Sequence, residues 1–210
     1  MDAAQSLGYE PVDVSRIGCQ LLAAPGHKGL LGPLGTGLLY VAPGAENKLL
    51  PLRQGGTGTR SDEDVQPTSL PDRYESGNLN ALGIVGLESG VSHVLQTGIE
   101  TIQERSRELT RRLLAGLEQI RGVTLFGPRN ANSRLGVISL NVAGYDPQEL
   151  AALLDTNWSI QTRAGLHCAP RMHAALGTLP RGTLRISPGH FSTEAEIDTL
   201  IGVLKEIAAG

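Results

Sequence analysis

The chain has 210 residues, and 18 Lys+Arg against 21 Asp+Glu leave a net charge of −3, which argues against a nucleic-acid binder held by bulk charge. Hydrophobic residues make up 40% of it, enough for a core, while no apolar run approaches the roughly 20 residues of a membrane helix and no basic, apolar leader pattern opens the chain. Two cysteines cannot build a disulfide framework, so the expected setting is a reducing cytoplasm, with no membrane and no nucleic acid as partner.

In chain order, the opening Met1-Asp2-Ala3-Ala4-Gln5 has neither a helix cap nor a strand lead-in. After a loop and a helical turn near Ser15, the apolar run 19–24 reads as a buried strand. Residues 25–37, Pro-Gly-His-Lys-Gly-Leu-Leu-Gly-Pro-Leu-Gly-Thr-Gly, are too glycine-rich for regular structure and lead into a second strand at 38–41. A loop of this kind between buried strands is where an α/β protein places its chemistry. Residues 53–77 are polar and punctuated by proline, a length of irregular chain that is usually functional or disordered. A helix is expected over 80–96 with Leu82, Ile84 and Val85 facing inward. Helical spacing of Ile99, Ile102, Leu109, Leu113, Leu117 and Ile120 then predicts a long amphipathic helix ending near Gly122 and bridging two domains.

The remaining stretch alternates strands at 123–126, 136–142, 158–162 and 183–187 with helices, the pattern of a small α+β domain. One helix starts at Asp146-Pro147-Gln148-Glu149, and the last opens on the capping box Thr193-Glu194-Ala195-Glu196, burying Ile197, Leu200, Ile201, Leu204 and Ile207. The boundary is placed near Gly98.

Among the chemical groups, Lys28 follows an apolar strand inside the Gly/Pro loop, where partial desolvation favours the neutral amine that Schiff-base chemistry needs; it could equally cap a strand end. His27 beside it could donate to a phosphate. Asp2 could pair with a protonated ring nitrogen and Gln5 with a phenolic oxygen, or both could be solvated surface groups. Cys168 lies in Arg163-Ala164-Gly165-Leu166-His167-Cys168-Ala169-Pro170, an electropositive loop after a strand that favours a reactive thiolate, whereas Cys19 reads as core. Neither cysteine has metal-ligand spacing, so no zinc site is expected, and His93, His173 and His190 are read as structural. Arg185, between Leu184 and Ile186, must face solvent or an anion, and its planar fork matches a carboxylate.

With these residues in place the chain resembles the cysteine desulfurases, class V aminotransferase-like PLP enzymes of fold type I. The matching motifs run in order from Asp2-Ala3-Ala4-Gln5 through Gly26-His27-Lys28 and Arg73-Tyr74-Glu75-Ser76-Gly77 to Arg163–Ala169 and Leu184-Arg185-Ile186-Ser187. Gln54-Gly55-Gly56-Thr57-Gly58 is similar to a glycine-rich segment of one branch of that family. The resemblance implies an N-terminally truncated α/β chain: residues 1–98 as the C-terminal part of the PLP-binding large domain, and 99–210 as the small domain with its linking helix. It implies that Lys28 binds pyridoxal 5'-phosphate covalently and then moves the substrate's Cα proton. Asp2, Gln5, His27 and Asn78 would contact the cofactor, and Arg185 the carboxylate of L-cysteine. The Cys168 thiolate would take the substrate sulfur as a persulfide, releasing alanine. Pro25 stands where the family usually has Ser or Thr, and Asn78 where a Thr reaches the phosphate of the partner subunit.

The same resemblance implies a homodimer and a sulfur-acceptor protein, with iron–sulfur cluster assembly or tRNA thiolation as destinations. Its alternatives are a selenocysteine lyase, another class V lyase or epimerase, and a non-catalytic truncated partner chain. A sheet lacking its first strands is expected to expose an edge, and the chain alone to bind PLP weakly.

Overall fold

The computed structural model describes residues 1–56, 60 and 62–210, which form two compact units, Met1–Glu100 and Thr101–Gly210. In the first, a four-residue helix α1 (Val14–Ile17) is capped by Asp13, whose Oδ1 accepts from the Ser15 and Arg16 N–H groups. It leads to strand β1 (Leu21–Pro25), which pairs antiparallel with β2 (Gly37–Val41) in the register Leu21↔Val41 to Pro25↔Gly37. Asp2 makes a parallel bridge to Ala23, with the Ala3 N–H donating to the Ala23 carbonyl at 2.9 Å. The strand alternates, so Leu22 and Ala24 turn to one face and pack with Ala3 in a small core that Cys19 and Tyr40 flank. Cys19, expected within the strand as core, lies two residues before β1 and is half-buried against this core.

Helix α2 (Ala81–Thr97) starts at Asn80, whose side chain accepts from the Gly83 N–H at 3.0 Å. Its inward face is not the expected one. Leu82, Ile84 and Val85 are 89%, 48% and 64% exposed, while Gly83, Gly90 and Val94 are buried. Glycines at 83, 86 and 90 share one helical face and let the backbone settle on the preceding loop: a Cβ at Gly90 would stand 2.3 Å from the Leu30 carbonyl oxygen, and one at Gly86 would stand 2.9 Å from Pro33. Close approach outcompetes side-chain burial there.

The second unit holds most of helix α3 (Ile99–Leu117), then β3 (Val123–Phe126), β4 (Ile138–Val142), α4 (Pro147–Trp158), β5 (Arg163–Gly165), α5 (Pro170–Ala175), β6 (Thr183–Ile186) and α6 (Glu194–Ala209). The four strands lie in the order β3-β4-β6-β5, all antiparallel. One sheet face presents Leu125, Ile138, Leu140, Val142, Leu184 and Ile186 to Leu109, Leu113 and Leu117 of α3, Leu150 and Leu154 of α4, and the apolar stripe of α6. Each fully buried leucine contributes on the order of 1.5–3 kcal/mol, which makes this the principal core. Helix α3 ends at Leu117, short of Gly122, because a turn carries the chain through buried Ile120.

The strand expected over 158–162 forms instead at Arg163–Gly165. Trp158 belongs to α4, and Ser159 ends that helix in the left-handed region (φ 54°) with its N–H on the Asp155 carbonyl. The Thr193/Glu196 capping box closes in both directions, at 3.2 and 2.7 Å. In α6, Val203 is buried and Ile201 only partly so, since Ile201 lies over Gly116 of α3, where a Cβ would come within 2.4 Å. Among the described residues no helix is long and apolar enough to cross a membrane, and no group of three or more His, Cys, Asp or Glu could hold a metal.

Candidate functional site

The sequence-derived candidates fall into two groups, one in each unit. In the first unit, β1 ends at Pro25 and the chain turns through Gly26, His27 and Lys28. The Gly26 N–H donates to the Thr36 carbonyl at 2.8 Å, the Gly32 N–H to the Gly26 carbonyl at 2.8 Å, and the Leu31 N–H to the Lys28 carbonyl at 2.9 Å. Glycine is required on both sides of His27-Lys28. A Cβ at Gly26 would lie 2.2 Å from Thr36 Oγ1, and one at Gly29 would lie 2.3 Å from the Leu7 carbonyl oxygen and 2.8 Å from the Tyr9 ring. A Cβ at Gly8 would in turn lie 2.2 Å from the Gly29 carbonyl carbon. The segment that follows Asp2 and Gln5 thus clasps the loop that carries Lys28. Burial of the Tyr9 ring in this clasp pushes its phenol above the usual 10.0.

Lys28 is half-buried, and His27 and Gln5 are exposed. Asp2 is exposed beside Ala23, its carboxylate oriented by Oδ1 accepting from the Ala4 N–H at 2.9 Å. It opens on a cleft of about 720 Å³ shared with Ala23, Pro25, Leu39, Tyr74 and Glu75. Asn78 is exposed two residues before the cap of α2.

The polar stretch before it is held by a side chain that sequence patterning passed over. Gln66, buried, accepts the Gly55 N–H at 3.1 Å and donates to the Asp72 carbonyl at 2.7 Å. Tyr74 donates its hydroxyl to the Leu49 carbonyl at 3.0 Å, and the Gly77 N–H donates to the Gly56 carbonyl at 3.1 Å. Of the glycine-rich motif, Thr57 and Gly58 lie outside the described residues.

The second group is assembled on β5, β6 and the turn after β5. Arg163 stands directly across from Arg185 in the antiparallel register. His167 and Cys168 both have positive φ, 51° and 62°, and the Ala169 N–H closes onto the Leu166 carbonyl at 2.8 Å. Two successive left-handed residues form a type I′-like turn, which ordinarily favours Asn-Gly. That turn leaves Cys168 exposed, with Arg163 Nη2 donating to Sγ at 3.8 Å. His167 Nε2 hydrogen-bonds the Arg163 carbonyl at 3.0 Å.

Burial holds the His167 imidazole below its usual 6.5, and the charges of Arg185, His173 and Arg163 act in the same direction against that bond. Burial likewise lowers the Arg185 guanidinium, reinforced by Arg163 and opposed by Cys168. Arg185 Nε is buried without a hydrogen-bond partner, a donor that suits an incoming anion. His173, read from sequence as structural, is buried and bonded through Nδ1 to Thr178 Oγ1 at 2.7 Å.

The family model described as aminotransferase class-V matches residues 1–200. The chain belongs to the aminotransferase class-V family. Within that family it is 39% identical over 214 residues to a probable cysteine desulfurase of Methanothermobacter thermautotrophicus, covering 99% of this chain and 52% of that protein. It is 34% identical over 210 residues to a cysteine desulfurase of Escherichia coli O8, covering 99% and 50%. The apo structure of a cysteine desulfurase from Thermococcus onnurineus NA1 superposes with a TM-score of 0.88 at 35% identity, over 100% of this chain and 52% of that one. The fold is therefore the type I architecture of the PLP-dependent enzymes, as the motif order implied. This class V chain spans about half the length of the curated relatives it matches.

Proposed function

We propose that this chain carries the cofactor-bearing lysine and the sulfur-accepting cysteine of a PLP-dependent cysteine desulfurase, residues 1–98 serving as the C-terminal part of the large domain and 99–210 as the small domain. The observation that carries the reading is the strained turn that exposes Cys168 beside Arg163, on the strand pair that also holds Arg185. A structural cysteine has no need of two left-handed residues to face solvent.

The donor set fits PLP. Lys28 offers an amine on a half-buried turn whose flanking glycines admit no side chain, the setting in which an aldehyde can be held by condensation. Asp2 offers an oriented carboxylate for the protonated ring nitrogen, Gln5 an amide for the ring oxygen, and His27 and Asn78 donors for the phosphate. When bound, PLP supplies the electron sink that labilises the bonds at Cα and Cβ of an amino acid.

The protein's own work is to bind, position and move protons. Arg185 holds the carboxylate of L-cysteine through its unpartnered donor, and Lys28 takes the Cα proton and returns it. The Cys168 thiolate attacks the substrate sulfur. A sulfur–sulfur bond forms, the Cβ–sulfur bond breaks, its electron pair stays with the carbon skeleton, and a proton taken up there releases alanine. The persulfide on Cys168 then passes to an acceptor protein. The same reading carries a homodimeric transferase in the cytoplasm, with iron–sulfur cluster assembly among the destinations of the sulfur.

Borohydride reduction of the chain with PLP, followed by peptide mapping, tests the first half: the reduced adduct is expected on Lys28. Exposure to 35S-labelled L-cysteine with PLP, followed by alkylation and mapping, tests the second, with label expected on Cys168 and absent from a Cys168→Ala variant. An adduct on another lysine, or label persisting in Cys168→Ala, overturns the assignment.

A further inference from the structure

The turn that presents Cys168 is held in a conformation that residues other than glycine adopt uncommonly, histidine more readily than cysteine, and residues held there cost on the order of 1–3 kcal/mol each. Something outside the turn must hold it. The Arg163 carbonyl holds one side through His167. On the other side the His167 ring packs against His173, centroids 5.7 Å apart and planes tilted by 47°.

His173 is itself locked. It is 4% exposed at the last turn of α5, and its Nδ1 shares the 2.7 Å bond with Thr178 Oγ1. The Thr178 N–H and hydroxyl both return to the His173 carbonyl, at 2.9 and 3.3 Å, and the Gly182 N–H donates to the Thr178 carbonyl at 2.7 Å. A continuous bracket therefore runs from β5 through His167, His173 and Thr178 to the start of β6, with the imidazole of His173 at its centre. A purely space-filling residue at 173 would need only an apolar side chain, whereas here a buried ring nitrogen meets a hydroxyl.

We propose that His173, fixed by Thr178, is a positioning residue that keeps the His167-Cys168 turn left-handed and so keeps the Cys168 sulfur beside the Arg163 guanidinium. The inference rests on the reading of Cys168 as the sulfur acceptor and adds the device that presents it. Loss of the His173–Thr178 bond frees the ring, His167 loses its backing, and the turn relaxes to ordinary backbone. The sulfur then leaves the cation that faces the charge on an attacking thiolate.

The test is the rate of iodoacetamide alkylation of each cysteine in the full chain at pH 7, read by mass spectrometry. Cys19, in the other unit, serves as internal reference. His173→Leu, which keeps apolar volume, and Thr178→Val, which removes only the hydroxyl, are expected to slow Cys168 about fivefold, the scale of one net hydrogen bond, with Cys19 unchanged. His173→Asn, whose amide can meet Thr178 from the place of Nδ1, is expected to restore the rate.

Wild-type alkylation of Cys168 in Thr178→Val overturns the proposal, as does a His173→Asn rate as slow as that of His173→Leu. Should His173→Leu fail to fold, Thr178→Val still decides. The labelled-cysteine experiment separates the two layers: an alkylation pattern as expected with no label on Cys168 removes the sulfur-acceptor reading and leaves the positioning role standing.

Discussion

Gly29 and His167 show how single positions impose the local chemistry. At Gly29 a methyl group would collide with the Leu7 carbonyl and the Tyr9 ring together, so Gly29→Ala must displace the Lys28 turn or the segment that clasps it. We expect that substitution to cost about 1–3 kcal/mol in urea unfolding and to lower the yield of borohydride-trapped PLP on Lys28. At His167 the imidazole is held below 6.5, so the folded turn prefers the neutral ring. Its contribution to stability is present above the unfolded value and is lost as the pH falls through the lower folded value. The NMR shift of its Cε1–H is expected to titrate below pH 6.5. Arg185→Gln removes one of the charges that oppose protonation and should move the midpoint upward. Cys168 was legible from its flanking residues; the left-handed turn was not, because His-Cys carries none of the Asn-Gly signature of such turns.

Helices α2 and α6 answer to different rules. Helix α6 follows its sequence at the capping box and along most of its apolar stripe, with Val203 taking the buried place expected of Ile201. Thr193→Ala should cost roughly 1 kcal/mol, measured by denaturant unfolding at neutral pH. Bonds from Thr193 hold the Glu196 carboxyl below its ordinary 4.5, so the contribution of that group is present above the ordinary value and is lost as the pH falls through the folded one. Helix α2 inverts the pattern. Gly90→Ala raises intrinsic helix propensity by about 1 kcal/mol, yet the new methyl would meet Leu30 and Leu31 backbone, so the variant is expected to be less stable than wild type. Leu82→Ser, on the exposed side, should change stability by no more than about 0.5 kcal/mol, because that side chain buries nothing in this chain. Thermal denaturation of the two variants side by side checks both. Periodicity failed at α2 because a hydrophobicity pattern scores side chains, while this interface is made by their absence.

For the molecule as a whole, the candidate groups are divided between the two units: Lys28 and Asp2 lie in the first, and exposed Cys168 with the cross-strand pair Arg163 and Arg185 in the second. That division explains why motifs distant in sequence had to be read together before any of them carried weight. The sequence by itself determined the order of most elements, the caps of α4 and α6 and most of the core of the second unit. These follow from short-range preferences and from apolar spacing, both of which are written in neighbouring residues. Only the tertiary structure decided that α2 packs by its glycines, that the strand after α4 starts at Arg163, that Gly8 and Gly29 interlock, and that His173 backs the turn of Cys168. Each of these depends on a contact between segments far apart along the chain, where the deciding quantity is whether two backbones or two rings can occupy adjoining space, and no local pattern encodes that distance.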